Sequence, residues 1–183
     1  MARARAMPYI GYMSPSDFLS SPRAASALLI GASLAALGTA LLSQYVGGLP
    51  PCDLCIWQRW AYVAAILLLA PGFVLRPEGS TGRMGAVALA LGGVAFLGVA
   101  GIAVFHVGVE QHWWQGLQSC SAGGTTAQTA EEMLAAIMAA PVVRCDEVPW
   151  SLFGISIAGF NALAALVLAG TALYAARAAL KRF

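Results

Sequence analysis

An all-α membrane protein, folded as a four-transmembrane-helix bundle, is what this sequence predicts, and three observations carry that reading. Of 183 residues, 60% are hydrophobic and only 10% charged, against roughly 25% charged in soluble domains. Four windows hold no Asp, Glu, Lys or Arg: residues 24–52, 60–75, 84–109 and 148–176. Each approaches or exceeds the roughly 17 to 25 residues that cross a hydrocarbon core about 30 Å thick, the second once Ile56, Trp57 and Gln58 join it. Residues 1–183 are therefore read as one integral membrane domain in the lipid bilayer, with no length left for a soluble domain of ordinary size. The net charge of +2 is too small to point to nucleic acid.

The first span is placed at about 24–46. Its apolar run is longer than the roughly 7 to 15 residues of a cleaved signal core, so it is expected to be retained. Ala32, Ala36 and Ala40 recur at a spacing that allows close helix contact. Gly47-Gly48-Leu49-Pro50-Pro51 then stops the helix. The second span, about 56–76, opens between Asp53 and Ile56 and ends at Pro71-Gly72 or a few residues later. A short loop with Arg76, Glu78 and Arg83 leads to the third, about 84–107, where Gly85, Gly92, Gly93, Gly98 and Gly101 are read as packing positions. The long connection, about 108–149, contains a short helix over Ala127–Ala140, with Met133, Leu134, Ile137 and Met138 on one side. That stripe suits the membrane surface or the protein's own loops. The fourth span is placed at about 150–176.

Sidedness follows from charge. Four spans put the N-terminal tail, the 76–83 loop and the C-terminal tail on one side. That side holds Arg3, Arg5, Arg23, Arg76, Arg83, Arg177, Lys181 and Arg182. The other holds Arg59 and Arg144 with six of the eight acidic residues. Basic residues favour the cytoplasm, so both termini are expected there. Cys52, Cys55, Cys120 and Cys145 then all fall on the far, oxidising side, the periplasm of a bacterium.

Those four cysteines carry the chemistry. Cys52-Asp53-Leu54-Cys55 is a Cys-x-x-Cys at a helix start, with Arg59 one turn beyond Cys55. The helix end and the guanidinium both favour a thiolate. The same motif alone also serves zinc sites and structural staples. Cys120 and Cys145 form a second pair in the long loop, and two pairs on one membrane face suggest a relay by thiolate attack on disulfides. Haem-attachment, dinucleotide and finger-type zinc spacings are absent from the sequence, so no metal is assigned and a lipid-borne quinone is the economical acceptor. The uncharged part of the second span after Arg59 is about 16 residues, or roughly 24 Å, which sets Arg59 at the outer membrane boundary. There it stabilises the Cys55 thiolate and donates to a quinone, or it snorkels beside Trp57 and Trp60 in an aromatic belt. His106 and His112 flank the end of the third span, as proton relays, quinone contacts or interfacial residues; Trp113, Trp114 and Trp150 read as belt residues.

These residues resemble the DsbB family, the bacterial inner-membrane disulfide bond formation proteins. The resemblance rests on Pro51-Cys52-Asp53-Leu54-Cys55 with Arg59, on the Cys120/Cys145 pair, and on Cys145-Asp146-Glu147 followed by Trp150 and Gly154. It implies that Cys120 forms the mixed disulfide with a DsbA-like periplasmic partner and that Cys145 is its pair. Electrons then reach Cys52 and Cys55, through a transient link between Cys52 and Cys145, and Cys55 contacts ubiquinone with help from Arg59. Menaquinone is the alternative, set by the host. His106 lies where the family has a histidine near the quinone. The vitamin K epoxide reductases carry the two pairs in the opposite order, and a scaffold with two structural disulfides is the non-enzymatic rival.

Overall fold

The computed structural model describes residues 18–75, 79–116, 129–131, 134 and 143–182. The apolar windows form four helices: α1 (Pro22–Tyr45), α2 (Asp53–Val74), α3 (Gly79–Glu110) and α4 (Ile157–Leu180). Each is long and apolar enough to cross a membrane. Large apolar side chains stay exposed along all four, as expected where the solvent is lipid and no polar face is needed. Of the helix expected at 127–140, Thr129, Ala130, Glu131 and Leu134 are described, Thr129 as a bend and the other three as helical; the rest lies outside the described residues.

Helix bounds differ from the expected spans for local reasons. The third helix starts at Gly79 and runs to Glu110, so Arg83 is helical and His106 and Glu110 share one face a turn apart. It stops on His112, whose φ of 57° is left-handed. The His112 N–H donates to the Val109 carbonyl at 3.1 Å and the Trp113 N–H to the Gly108 carbonyl at 2.9 Å, a Schellman stop. Trp114 folds back over Gly108, whose missing side chain leaves room for the indole, and donates its N–H to the Phe105 carbonyl at 2.9 Å.

The fourth helix begins at Ile157, seven residues later than the expected Trp150. Ser151–Leu152 (β1) and Ile155–Ser156 (β2) pair antiparallel instead, around Phe153 and Gly154 with φ of 52° and 77°. Two consecutive left-handed residues make the tight turn that suits a two-residue hairpin. Ser156 then caps α4 by accepting the Gly159 N–H at 3.1 Å.

The third helix is central, packing along both α2 and α4, while α1 lies mainly on α2. Lipid supplies little hydrophobic force between helices, so small residues that let backbones approach take over. The buried face of α4 is an alanine seam: Ala158, Ala162, Ala165, Ala169, Ala172 and Ala176, at steps of three and four. On α1 the deepest positions are Ala25, Ser26, Leu29 and Ser33, with Ala32, Ala36 and Ala40 only half-buried. The glycines of α3 divide. A Cβ at Gly92 would enter Leu69, one at Gly93 would enter Leu173, and one at Gly85 would meet Pro22. Gly98 and Gly101 meet nothing within 4 Å, contrary to the packing role expected of them.

Gly92→Val is therefore expected to destabilise the bundle by about 1 to 3 kcal/mol through overpacking against Leu69. Gly98→Ala is expected to leave stability unchanged or slightly raised. Thermal unfolding of both variants in one detergent checks the contrast.

Candidate active site

One end of the bundle collects the chemistry. Pro50-Pro51 end the connection from α1, and Cys52 in extended geometry caps α2, its sulfur accepting the Cys55 N–H at 3.4 Å. That turn brings the two sulfurs to 3.0 Å as free thiols. A Cys-x-x-Cys at a helix start does this because residues three apart stack one turn above each other. The two sulfurs are not equivalent. Cys52 is 5% exposed and packs with Leu54, Val109 and Cys145, whereas Cys55 is half-buried. The hydrogen bond to Cys55 and burial together hold the Cys52 thiol far above the usual cysteine range.

Cys145 is 1% exposed and belongs to the same cluster, so the second loop delivers one of its cysteines to the Cys-x-x-Cys. The turn carrying it is pinned by Arg144, whose Nη2 lies 2.6 Å from Asp146 Oδ2 and whose Nε lies 3.0 Å from Oδ1. This fork holds the Asp146 carboxyl below its ordinary range. Cys120 lies outside the described residues.

His106 is turned inward, 4% exposed, with Nε2 at 3.6 Å from the Cys52 sulfur and 3.9 Å from Glu110 Oε1. On its other side Gln58 Nε2 meets His106 Nδ1 at 3.2 Å. Asn161 of α4 donates to Gln58 Oε1 at 2.6 Å, and the Tyr62 hydroxyl donates to Asn161 Oδ1 at 2.8 Å. The Ser156 hydroxyl donates a short hydrogen bond to Glu110 Oε2. The site thus continues into the bundle as a connected polar chain that ties α2, α3 and α4 together.

Arg59 points the other way, toward α1. Its Nη1 donates to Gln44 Oε1 at 2.6 Å and its Nη2 to the Ala40 carbonyl at 3.2 Å. It stands one turn from Cys55 on the same side of α2. An open apolar groove of ≈ 420 Å³, lined by Leu54, Trp57, Gly101, Ile102 and Phe105, lies between α2 and α3. Trp57 is two residues from Arg59, about 200° around the helix, so this groove is not on the Arg59 side. Trp57, Trp60, Trp113, Trp114 and Trp150 are all exposed, in keeping with an aromatic belt.

The structure therefore brings together Cys52, Cys55, Cys145 and His106, and sets Arg59 beside Cys55. Gln44, Gln58, Tyr62, Glu110, Ser156 and Asn161 escaped the sequence reading. Their signal was available as polar side chains inside or next to apolar spans, which lipid tolerates only when they are paired. Cys52 Sγ, Cys55 Sγ and His106 Nε2 also lie within 4.8 Å of one another, a set that a soft cation such as zinc would accept if the imidazole nitrogen were free.

Four membrane-spanning helices with paired free thiols at one end define a multi-pass membrane protein equipped for thiol chemistry. The family follows from comparison: the model for disulfide bond formation protein DsbB matches residues 22–175, and the chain belongs to that family. It is 35% identical over 147 residues to disulfide bond formation protein B of Chromohalobacter salexigens, covering 76% of this chain and 83% of that one. The protein of the same name from Hahella chejuensis is 33% identical over 141 residues, 70% of this chain and 77% of the relative. That from Albidiferax ferrireducens is 32% identical over 152 residues, 78% and 80% respectively. No solved structure matches the chain significantly. Membership of this family makes the protein a disulfide-forming oxidoreductase of the membrane.

In the reduced protein, a maleimide reagent is expected to modify Cys55 about tenfold faster than Cys52 or Cys145, because its sulfur is the more accessible. Mass spectrometry of peptides after timed alkylation checks the order.

Proposed function

We propose that this protein oxidises a periplasmic thioredoxin-fold dithiol protein, a DsbA-like partner, and passes the electrons through two cysteine pairs to ubiquinone in the bacterial inner membrane, with menaquinone the alternative acceptor. The observation that carries the reading is the unequal placement of the two motif sulfurs. Cys52 faces Cys145 inside the bundle, while Cys55 is half-exposed on the side of α2 that bears Arg59. A relay needs one sulfur toward the incoming disulfide and one toward the acceptor.

The residues fit a quinone headgroup. The Arg59 guanidinium already donates to two carbonyl oxygens, those of Gln44 and Ala40, which have the same acceptor chemistry as a quinone carbonyl. Exposed Tyr45 and Trp60 adjoin these residues in the chain and offer apolar surface. When bound, the quinone supplies a sink for two electrons and two protons.

The protein's own residues do the rest. A partner thiolate attacks Cys120 of the Cys120–Cys145 disulfide, and the partner's second thiolate resolves that bond, leaving Cys120 and Cys145 reduced. In the oxidised form of the motif, Cys145 then attacks Cys52 of the Cys52–Cys55 disulfide, forming the Cys52–Cys145 bond, breaking the Cys52–Cys55 bond and releasing Cys55 as a thiolate beside Arg59. Cys120 next attacks Cys145, and Cys52 leaves and re-forms its bond to Cys55 as the electron pair passes to the quinone. One partner dithiol and one quinone become one partner disulfide and one quinol. The excess of basic residues at the opposite end of the bundle supports a periplasmic site.

Quinone reduction is followed by ultraviolet absorbance, using purified protein, a reduced thioredoxin-fold dithiol protein and ubiquinone. Cys55→Ser is expected to abolish it, and Cys120→Ser to block partner oxidation first. Folded wild-type protein that oxidises no such dithiol in the presence of quinone would overturn the proposal.

A further inference from the structure

The polar chain behind Cys52 has a direction, and a single hydroxyl sets it. Two hydrogen-bond polarities connect the same four side chains. In one, the Tyr62 O–H donates to Asn161 Oδ1, Asn161 Nδ2 donates to Gln58 Oε1, and Gln58 Nε2 donates to His106 Nδ1. In the reverse, His106 Nδ1–H would donate to Gln58, Gln58 to Asn161, and Asn161 to the Tyr62 oxygen. The reverse leaves the Tyr62 proton without an acceptor. Tyr62 is 3% exposed among Ala65, Leu69 and Phe96, and Asn161 is its hydrogen-bond partner among the described residues. A buried hydroxyl proton with no acceptor is costly, whereas an idle oxygen lone pair is cheap. The first polarity therefore prevails, and Nδ1 of His106 is an acceptor.

A neutral imidazole that accepts at Nδ1 carries its hydrogen at Nε2. That nitrogen faces the Cys52 sulfur at 3.6 Å and Glu110 Oε1 at 3.9 Å. We propose that Tyr62, Asn161 and Gln58 are positioning residues that lock His106 in its Nε2–H tautomer, so that the ring offers a hydrogen-bond donor to the Cys52 sulfur whenever that sulfur carries charge. This rests on the relay proposed above. In that relay the charge arises when the Cys52–Cys145 bond breaks as the Cys120–Cys145 bond forms, and the electron pair of the broken bond stays on Cys52. The Nε2–H receives that developing charge without giving up its proton. Glu110, whose other oxygen accepts from the Ser156 hydroxyl, lies 3.9 Å from the same nitrogen. The groups facing His106 are thus Glu110 from its own helix, Cys52 and Cys55 from α2, and Cys145 from the second loop. The lock also acts against a metal at this place, because the nitrogen that would coordinate it is protonated.

The chain has two histidines, so in a His112→Gln background the imidazole ¹⁵N spectrum of the full-length protein in detergent belongs to His106 alone. Protonated and bare ring nitrogens have well-separated shifts. The expected result is Nε2–H with bare Nδ1. Tyr62→Phe, which removes only the hydroxyl, is expected to give a mixture of tautomers. Gln58→Glu, whose carboxylate only accepts, is expected to reverse the tautomer to Nδ1–H. Tyr62→Phe is also expected to lower kcat for partner oxidation roughly fivefold or more, with KM for ubiquinone unchanged, since the quinone meets Cys55 and not Cys52. An Nδ1–H form in the His112→Gln protein, or a tautomer that Tyr62→Phe does not move, overturns the lock. Tautomers that shift while kcat stays the same overturn its part in the reaction. Expected tautomers in a protein that oxidises no thioredoxin-fold dithiol overturn the relay instead, since the spectrum is read without turnover.

Discussion

Polar groups inside this bundle have to find partners within the protein, because lipid offers none, and among the described residues only the buried Ser26 hydroxyl lacks one. That constraint organises the cysteine end. Gln58, Tyr62, His106 and Asn161 come from three helices, and each satisfies the next. Their burial is tolerable only as a complete chain, so the helices that supply them are held in one register. The free thiols sit at the head of that chain, where Cys52 touches both His106 and Cys55. Site geometry and helix register are in this sense one problem with one solution.

The remainder of the fold is built on close contact. The alanine seam of α4 and the glycines at 85, 92 and 93 let backbones approach where lipid gives no hydrophobic incentive to do so. Arg59 provides a charged tie at this end between α1 and α2, through Gln44 and the Ala40 carbonyl. Its position beside the more accessible sulfur makes that seam chemically different from the interior face of α2, which carries Leu54, Gln58 and Tyr62.

Much of this was legible in the sequence. Four uncharged windows define four helices because membrane thickness leaves little freedom in length. The Cys-x-x-Cys with Arg59 and the second cysteine pair pointed to thiol chemistry before any geometry, and the family match agrees. What stayed hidden depends on contacts between distant segments. Nothing in the local sequence says that Gln58 meets Asn161, 103 residues away, or that Glu110 meets Ser156. The third helix was expected to end before Glu110 because charge was taken as its limit; a buried carboxylate with a hydroxyl partner removes that limit. Residues 150–156 look apolar enough for a helix, yet Phe153-Gly154 turns them into a hairpin, and the preference of glycine for positive φ was the available clue. Gly98 and Gly101 show the converse: their composition suggested packing, and only the structure reveals which side of the helix they occupy.

The two ends of the α2 and α3 pair are unlike. Far from the cysteines, Gly72 and Gly85 bring the backbones nearly into touch, and Pro22 closes on Gly85. Near the cysteines the same two helices leave an apolar groove between Leu54, Trp57 and Phe105. The pair is therefore a wedge, closed at its narrow end and open at its broad one. The open end of that taper lies beside the first turn of α2, so the reactive sulfurs sit where the two helices are least tightly closed on one another.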